Sequence, residues 1–389
     1  MLPLQGTIEP PWVAHTLNMG RDKPKLQCRL RSAKRMRSPC LIYFPASGYY
    51  TFRNLRPPHF SEVGSACATL QQLTSLDNFN LLVVEYPVSD SQAHYPDALN
   101  AAFVALEWAS AAVQCDPKKL CLAGNSSGGH LALTTALKWH AEGREPLAGL
   151  VLDAPGSDAY VPIVAALKEV SGQVPRMFTY FERCSVRDAS ADPYLNPFLA
   201  SDAALATLPP TLVVLTAHDI WSLVHNQDTS DLISSTHRIA ARLAKAKVAV
   251  TLRVEDGIHG AAWQEGSPSH NVGIAQRIAE WVGARVGKRA VPPSTPADVD
   301  PSAGPPARSC VRDLHTFLVN AQDALGQGSL ADGQISAWSD IFVPMLRGDN
   351  GVVAQPMPCM CRDMNFLRVC QATHRQLYAT SAEADVASN

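Results

Sequence analysis

Two kinds of apolar pattern alternate along the first three-quarters of the chain. The first is a short unbroken run, found at residues 40–44, 81–86, 120–123, 149–153, 211–217 and 248–254. A strand with one face in water alternates apolar and polar positions, whereas a parallel strand covered on both faces reads as a continuous apolar run. The second pattern has helical spacing. Leu99, Phe103, Leu106, Ala109 and Val113 share one helical face, Leu232, Ile239 and Leu243 another, and Ile274, Ile278 and Val282 a third. This alternation of strand and helix predicts an α/β fold built on a mostly parallel, doubly wound sheet. Residues 13–17 and 25–30 are expected to add an antiparallel hairpin at its edge.

Two stretches depart from the alternation. Between about 157 and 200, Pro162 precedes a helical segment at 163–170, and Met177, Phe178 and Phe181 form an aromatic patch. An insertion between two sheet strands is expected to be either a helical cap over a site or a packed surface excursion. After Val286, Pro292, Pro293, Pro296, Pro301, Pro305 and Pro306 stand among Ser, Ala and Asp. Such a segment cannot bury a core and reads as a linker. The expected organisation is one α/β unit at 1–288, a Pro-rich linker at 289–308 and a partly helical tail at 309–389. The tail has a stripe of Leu314, Leu318, Ala321 and Leu325 and a cluster of Ile335, Trp338, Ile341 and Phe342. It is expected to dock on the main unit, to bind a protein partner or to be only partly ordered.

Composition narrows the function classes. The 389 residues carry 33 Lys+Arg against 35 Asp+Glu, a net charge of -2, with 46% hydrophobic residues. That balance leaves no electrostatic footprint for nucleic acid. The basic cluster Arg29, Arg31, Lys34, Arg35 and Arg37 is read as charged hairpin ends rather than a nuclear address. The longest apolar run, 101–106, is far short of the roughly 20 residues of a membrane helix, and residues 1–11 have no signal-peptide pattern. The 10 Cys lack framework spacing and are expected to be reduced thiols of a cytoplasmic protein. Cys359 and Cys361 have no matching pair nearby, so no metal is expected.

One motif carries chemistry. Gly124-Asn125-Ser126-Ser127-Gly128-Gly129 directly follows the apolar run 120–123 and precedes a plausible helix from His130 to Ala136. This is the strand-turn-helix setting that a G-x-S-x-G nucleophile elbow requires. The turn is so sharp that the positions two residues either side of the serine must lack side chains. The helix behind it aims a partial positive charge at the site. Asn125-Ser126-Ser127 also fits a glycosylation sequon, but a glycan there would block the nucleophile.

A serine hydroxyl needs a base, and the base needs an orienting acid. Both should follow later strands, in the order Ser, acid, His. His259, in Gly257-Ile258-His259-Gly260 after the run 248–254, is the base candidate. Asp219, after the run 211–217, is the acid candidate, with Asp228 and Asp231 as rivals. His130 lies one turn into the elbow helix and is poorly placed as a base. His218 and His225 read as loop histidines, and Glu255 and Asp256 as surface charges.

With these residues in place, roughly 40–286 resembles the hormone-sensitive-lipase-like family of α/β hydrolases. The elbow resembles the family's G-D-S-A-G-G, and Tyr95-Pro96-Asp97-Ala98-Leu99 its F-P-A-A-L. Val84-Glu85-Tyr86-Pro87-Val88-Ser89-Asp90 stands where the family has D-Y-R-L-A-P-E. The segment from Asn196-Pro197-Phe198-Leu199 through 208–214 is similar to S-P-L…L-P-P-x-L-V-V.

The resemblance implies an α/β-hydrolase fold and ester hydrolysis through Ser126, His259 and Asp219, with no cofactor. It also implies an oxyanion hole made by the amides of Ser47, Gly48 and Ser127. Here the chain departs from the family, reading Pro45-Ala46-Ser47-Gly48 where H-G-G-G is usual. Ser47 is therefore expected to need a backbone that glycine adopts freely, at some cost in activity.

The expected substrate is a small to medium, largely apolar carboxylic ester. Tyr49, Tyr50, Phe178, Phe181 and Trp221 are candidates to line its pocket, or simply to pack. An amide, lactone or thioester substrate is the alternative for the same triad, and a catalytically weak receptor or scaffold is another.

Overall fold

The structure is a computed structural model that describes residues 12–20, 25–33, 37–49, 79–111, 113, 115–156, 176–216, 235–255, 260, 262–263 and 272–286. Eight strands form one sheet: β1 (Val13–Leu17), β2 (Leu26–Arg31), β3 (Cys40–Phe44), β4 (Asn80–Glu85), β5 (Leu120–Asn125), β6 (Gly149–Asp153), β7 (Thr211–Thr216) and β8 (Val250–Glu255). Their spatial order is β1-β2-β4-β3-β5-β6-β7-β8. The strands from β3 to β8 run parallel, while β1 and β2 are antiparallel to their neighbours. The expected edge hairpin is present, with Val13 opposite Leu30 and Leu17 opposite Leu26.

The unbroken apolar runs are explained by the two cores. In β3 the side chains of Cys40, Ile42 and Phe44 enter one core and those of Leu41 and Tyr43 the other. The same parity divides Leu82 and Val84 from Leu81 and Val83, and Leu122 from Cys121 and Ala123. Both faces are covered, so neither set can be polar. Among the described residues four long helices supply the cover: α1 (Asp97–Ala111), α2 (Ser127–Ala141), α3 (Ser235–Lys245) and α4 (Val272–Val286). Leu99 and Leu106 of α1, Leu131 and Leu133 of α2, and Ile239 and Leu243 of α3 pack on the larger core. Ile274, Ile278 and Val282 of α4 close the other face. Phe103, expected on the buried face of α1, is only half-buried, and the cations of Lys138 and Arg144 lie over its ring.

Of the insertion between β6 and β7, residues 157–175 lie outside the described residues. The remainder forms a 3₁₀ turn at Arg176–Phe181, a four-residue helix at Val186–Ala189 and a second 3₁₀ turn at Pro197–Leu199. Tyr180 fastens this segment to the start of α1 by accepting the Ala98 amide at 2.8 Å, and the Tyr95 hydroxyl donates to Asp192 at 2.6 Å. No helix among the described residues is long and apolar enough to cross a membrane. The linker and tail, 287–389, lie outside the described residues.

Candidate active site

The chain turns from β5 into α2 at a single residue, Ser126, whose φ of 56° and ψ of -124° are rare for any side chain other than glycine. Such a backbone costs on the order of 1–3 kcal/mol and persists only when its surroundings enforce it. Three backbone bonds do so. The Ser126 amide donates to the Asp153 carbonyl at 2.9 Å, and its own carbonyl accepts from the amides of His130 and Gly156, each at 3.0 Å.

The flanking glycines are required sterically. A Cβ on Gly124 would stand 2.0 Å from the Gly128 carbonyl oxygen, and one on Gly128 would stand 1.9 Å from that of Phe44. Both are well inside contact distance, so the serine is carried past β3 only because neither position has a side chain. Ser126 is half-buried at the carboxyl edge of the sheet, where a hydroxyl can meet a ligand.

The loop after β3 reaches the same edge. The amides of Ser47 and Gly48 both donate to the Ser127 hydroxyl oxygen, at 3.0 and 2.9 Å. Ser127 is completely buried. Its oxygen lies 3.1 Å from the Tyr86 hydroxyl, which in turn lies 2.8 Å from the Ser47 hydroxyl and donates to the Pro45 carbonyl at 2.8 Å. Burial pushes the Tyr86 phenol above its ordinary range, so it keeps its proton.

The expectation that Ser47 would need glycine's backbone is corrected. The left-handed positions are Gly48, at φ 59°, and Tyr49, at φ 57°, and Ser47 is not among them. The bend falls one residue later, and the Ser47 hydroxyl also accepts the Tyr49 amide at 3.0 Å across it.

Tyr49 and Phe181 are buried, each 2% exposed. The Tyr49 ring stacks on Tyr180 at 4.8 Å and meets Phe181 edge-on at 5.0 Å. The Tyr49 hydroxyl lies 2.7 Å from His130 Nδ1, and His130 Nε2 lies 3.2 Å from the Leu195 carbonyl. A carbonyl only accepts, so Nε2 carries the proton and Nδ1 accepts from Tyr49. Both nitrogens of His130 are thus engaged away from Ser126, in keeping with its poor placement as a base. Glu255 is held by Arg277 of α4, with Nε 2.7 Å from the carboxylate.

Asp219, Asp228, Asp231, His218, His225, Asp256, His259, Tyr50 and Trp221 lie outside the described residues, as does the side chain of Phe178. Sequence reasoning passed over Asp153 and Tyr86. Asp153 ends β6 fully buried, and its carboxylate and carbonyl both accept from the Asn125 side chain at 3.2 Å. The signal for Asp153 was available: a carboxylate ending an apolar strand needs a polar partner inside. Nothing in the spacing pointed to the contact of Tyr86 with Ser127. Among the described residues no cluster of His, Cys, Asp or Glu could hold a metal ion.

This architecture has known counterparts. A family model for the alpha/beta hydrolase fold matches residues 60–264, just over half of the chain. Among solved structures, carboxyl esterase 2 from the mycorrhizal fungus Tuber melanosporum is 18% identical with a TM-score of 0.54, covering 73% of this chain and 89% of its own. A structure of fungal esterases from Rhizomucor miehei is 22% identical with a TM-score of 0.53, covering 72% and 84%. A thermostable esterase from Pseudomonas putida ECU1011 is 20% identical with a TM-score of 0.52, covering 72% and 86%. At these identities the likeness is one of fold. No sequence match is found among curated proteins.

Proposed function

The chain belongs to the hormone-sensitive-lipase-like family of α/β hydrolases, and on that premise we propose that it is a serine esterase. The observation that carries this reading is the backbone of Ser126, held at φ 56° between β5 and α2 by two glycines that tolerate no side chain. Strain of this kind is retained where a nucleophile must project from a turn.

In the proposed reaction the Ser126 oxygen attacks the carbonyl carbon of a small to medium, largely apolar ester. The His259 imidazole takes the serine proton and passes it to the departing alcohol, leaving an acyl-enzyme. Water, deprotonated by the same imidazole, then releases the acid and restores Ser126. Asp219 is the acid that orients and stabilises the imidazolium. The amides of Ser47, Gly48 and Ser127 are the donors assigned to the tetrahedral oxyanion. No step needs a metal or organic cofactor.

A fluorophosphonate probe followed by peptide mapping tests this directly. Labelling at Ser126, lost in Ser126→Ala, together with turnover of p-nitrophenyl esters, is the expected result. Absence of labelling in the folded chain, or ester turnover undiminished in Ser126→Ala, would overturn the reading.

A further inference from the structure

We propose that the Ser127 hydroxyl is a built-in occupant of the oxyanion hole, and that it holds the resting enzyme below the rate its triad would allow. The inference rests on the hydrolase reading above and concerns how that site is set.

An oxyanion is stabilised by donors 2.7–3.1 Å from the position its oxygen will take. The amides of Ser47 and Gly48 already have an oxygen at that range, at 3.0 and 2.9 Å, and it belongs to Ser127. The count of protons fixes the arrangement. A hydroxyl has two lone pairs and one hydrogen. Both lone pairs of Ser127 accept loop amides, so its hydrogen is donated, and the Tyr86 oxygen at 3.1 Å is a nearer acceptor than the Ser47 oxygen at 3.4 Å. Tyr86 can receive it because its own hydrogen goes to the Pro45 carbonyl at 2.8 Å. The Ser47 hydroxyl accepts the Tyr49 amide and donates to Tyr86 at 2.8 Å. Each hydroxyl in the chain therefore has a consistent role, and the arrangement is completely buried at Ser127.

Only the amide of Ser127 itself remains uncommitted to this hydroxyl. A substrate oxyanion must either displace the Ser127 oxygen from the two loop amides or do without them. The family pattern G-D-S-A-G-G has alanine at this position, which has no oxygen to compete. The loop's departure from H-G-G-G and the elbow's serine in place of alanine thus meet in one contact, since the Ser47 hydroxyl supports the same Tyr86 that receives the Ser127 proton.

The test is Ser127→Ala, with the rate of Ser126 labelling by a fluorophosphonate and the kcat and KM for p-nitrophenyl acetate as readouts. The expected result is labelling and kcat about 10- to 100-fold faster, because one or two donors are returned to the transition state. KM should change little, since the oxyanion exists only after attack. Equal or slower rates in a variant that melts cooperatively would overturn the proposal while leaving the hydrolase reading intact, provided both proteins label. If neither labels, the hydrolase reading fails and the proposal falls with it. Should Ser127→Ala not fold, Ser127→Gly removes the same oxygen from the two loop amides and is expected to speed labelling by a similar factor. Unchanged or slower labelling there would likewise overturn the proposal.

Discussion

The elbow at 124–129 and the loop at 45–49 meet at the carboxyl edge of one sheet, yet they are held by different means. The elbow is shaped by exclusion: a methyl group on Gly124 or Gly128 would overlap a backbone carbonyl at about 2 Å. The loop is shaped by attachment: hydroxyls of Ser47, Tyr86 and Ser127 tie it down, and at Gly48 it is the left-handed backbone, not a steric contact among the described residues, that favours glycine. Exclusion leaves a fixed residue pattern, because only glycine satisfies it. Attachment can be met by many side chains, so a loop can lose the family's glycines and still reach the same edge.

The contrast is tested most severely at Gly128. Gly128→Ala must displace the Phe44 carbonyl at the carboxyl end of β3, and a loss of about 3 kcal/mol in urea unfolding is expected, with loss of Ser126 labelling. A fully active, equally stable variant would mean that the elbow is not sterically set. Next in size is Ser126→Gly. Glycine adopts the backbone of this turn without strain, so stability should rise by about 1 kcal/mol, net of the extra freedom of the unfolded chain, while labelling is abolished. Destabilisation would show that the serine backbone is not strained. Ser47→Gly probes the loop. If the family's glycine were wanted for its backbone, the change would stabilise. Since Ser47 is not left-handed and its hydroxyl holds Tyr86 and the Tyr49 amide, a loss of about 1 kcal/mol is expected instead.

The same distinction governs what the sequence could reveal. Steric demands write themselves into residue type, so the elbow was legible from Gly124, Ser126 and Gly128. Double burial did the same for the strands: residues 40–44 and 149–153 coincide with β3 and β6, and the others differ by one or two residues at their ends. Strand order was not legible, because a parallel neighbour is chosen by long-range packing that no local run encodes. Nor was the Ser47–Tyr86–Ser127 contact, which joins three chain segments through hydroxyls that read as ordinary polar residues. The H-G-G-G pattern leads one to expect a glycine-like backbone at Ser47, while the left-handed residues of the loop are its two successors. The bend lies at Gly48 and Tyr49, and the Ser47 hydroxyl accepts the Tyr49 amide across it. Asp219 and His259 lie outside the described residues.

The smallest expected effect concerns the join between the two regions. Burial raises the folded-state pKa of Tyr86 above its ordinary value of about 10. Between those two values the unfolded chain has released the proton while the folded chain still holds it. The contribution of Tyr86 is therefore fully present below about pH 10 and is lost as pH rises toward the folded value. Tyr86→Phe should lower stability by about 1 kcal/mol at neutral pH, through the lost bonds to Pro45, Ser47 and Ser127. It should also make the fall in stability above pH 10 shallower than in the parent. The fall will not vanish, because burial raises Tyr95 and Tyr180 in the same direction. Urea midpoints at pH 8 and above pH 10 for both proteins measure the difference. Parallel curves would mean that the Tyr86 phenol is not sealed from water, and that the elbow and the loop are joined less tightly than these hydroxyl contacts imply.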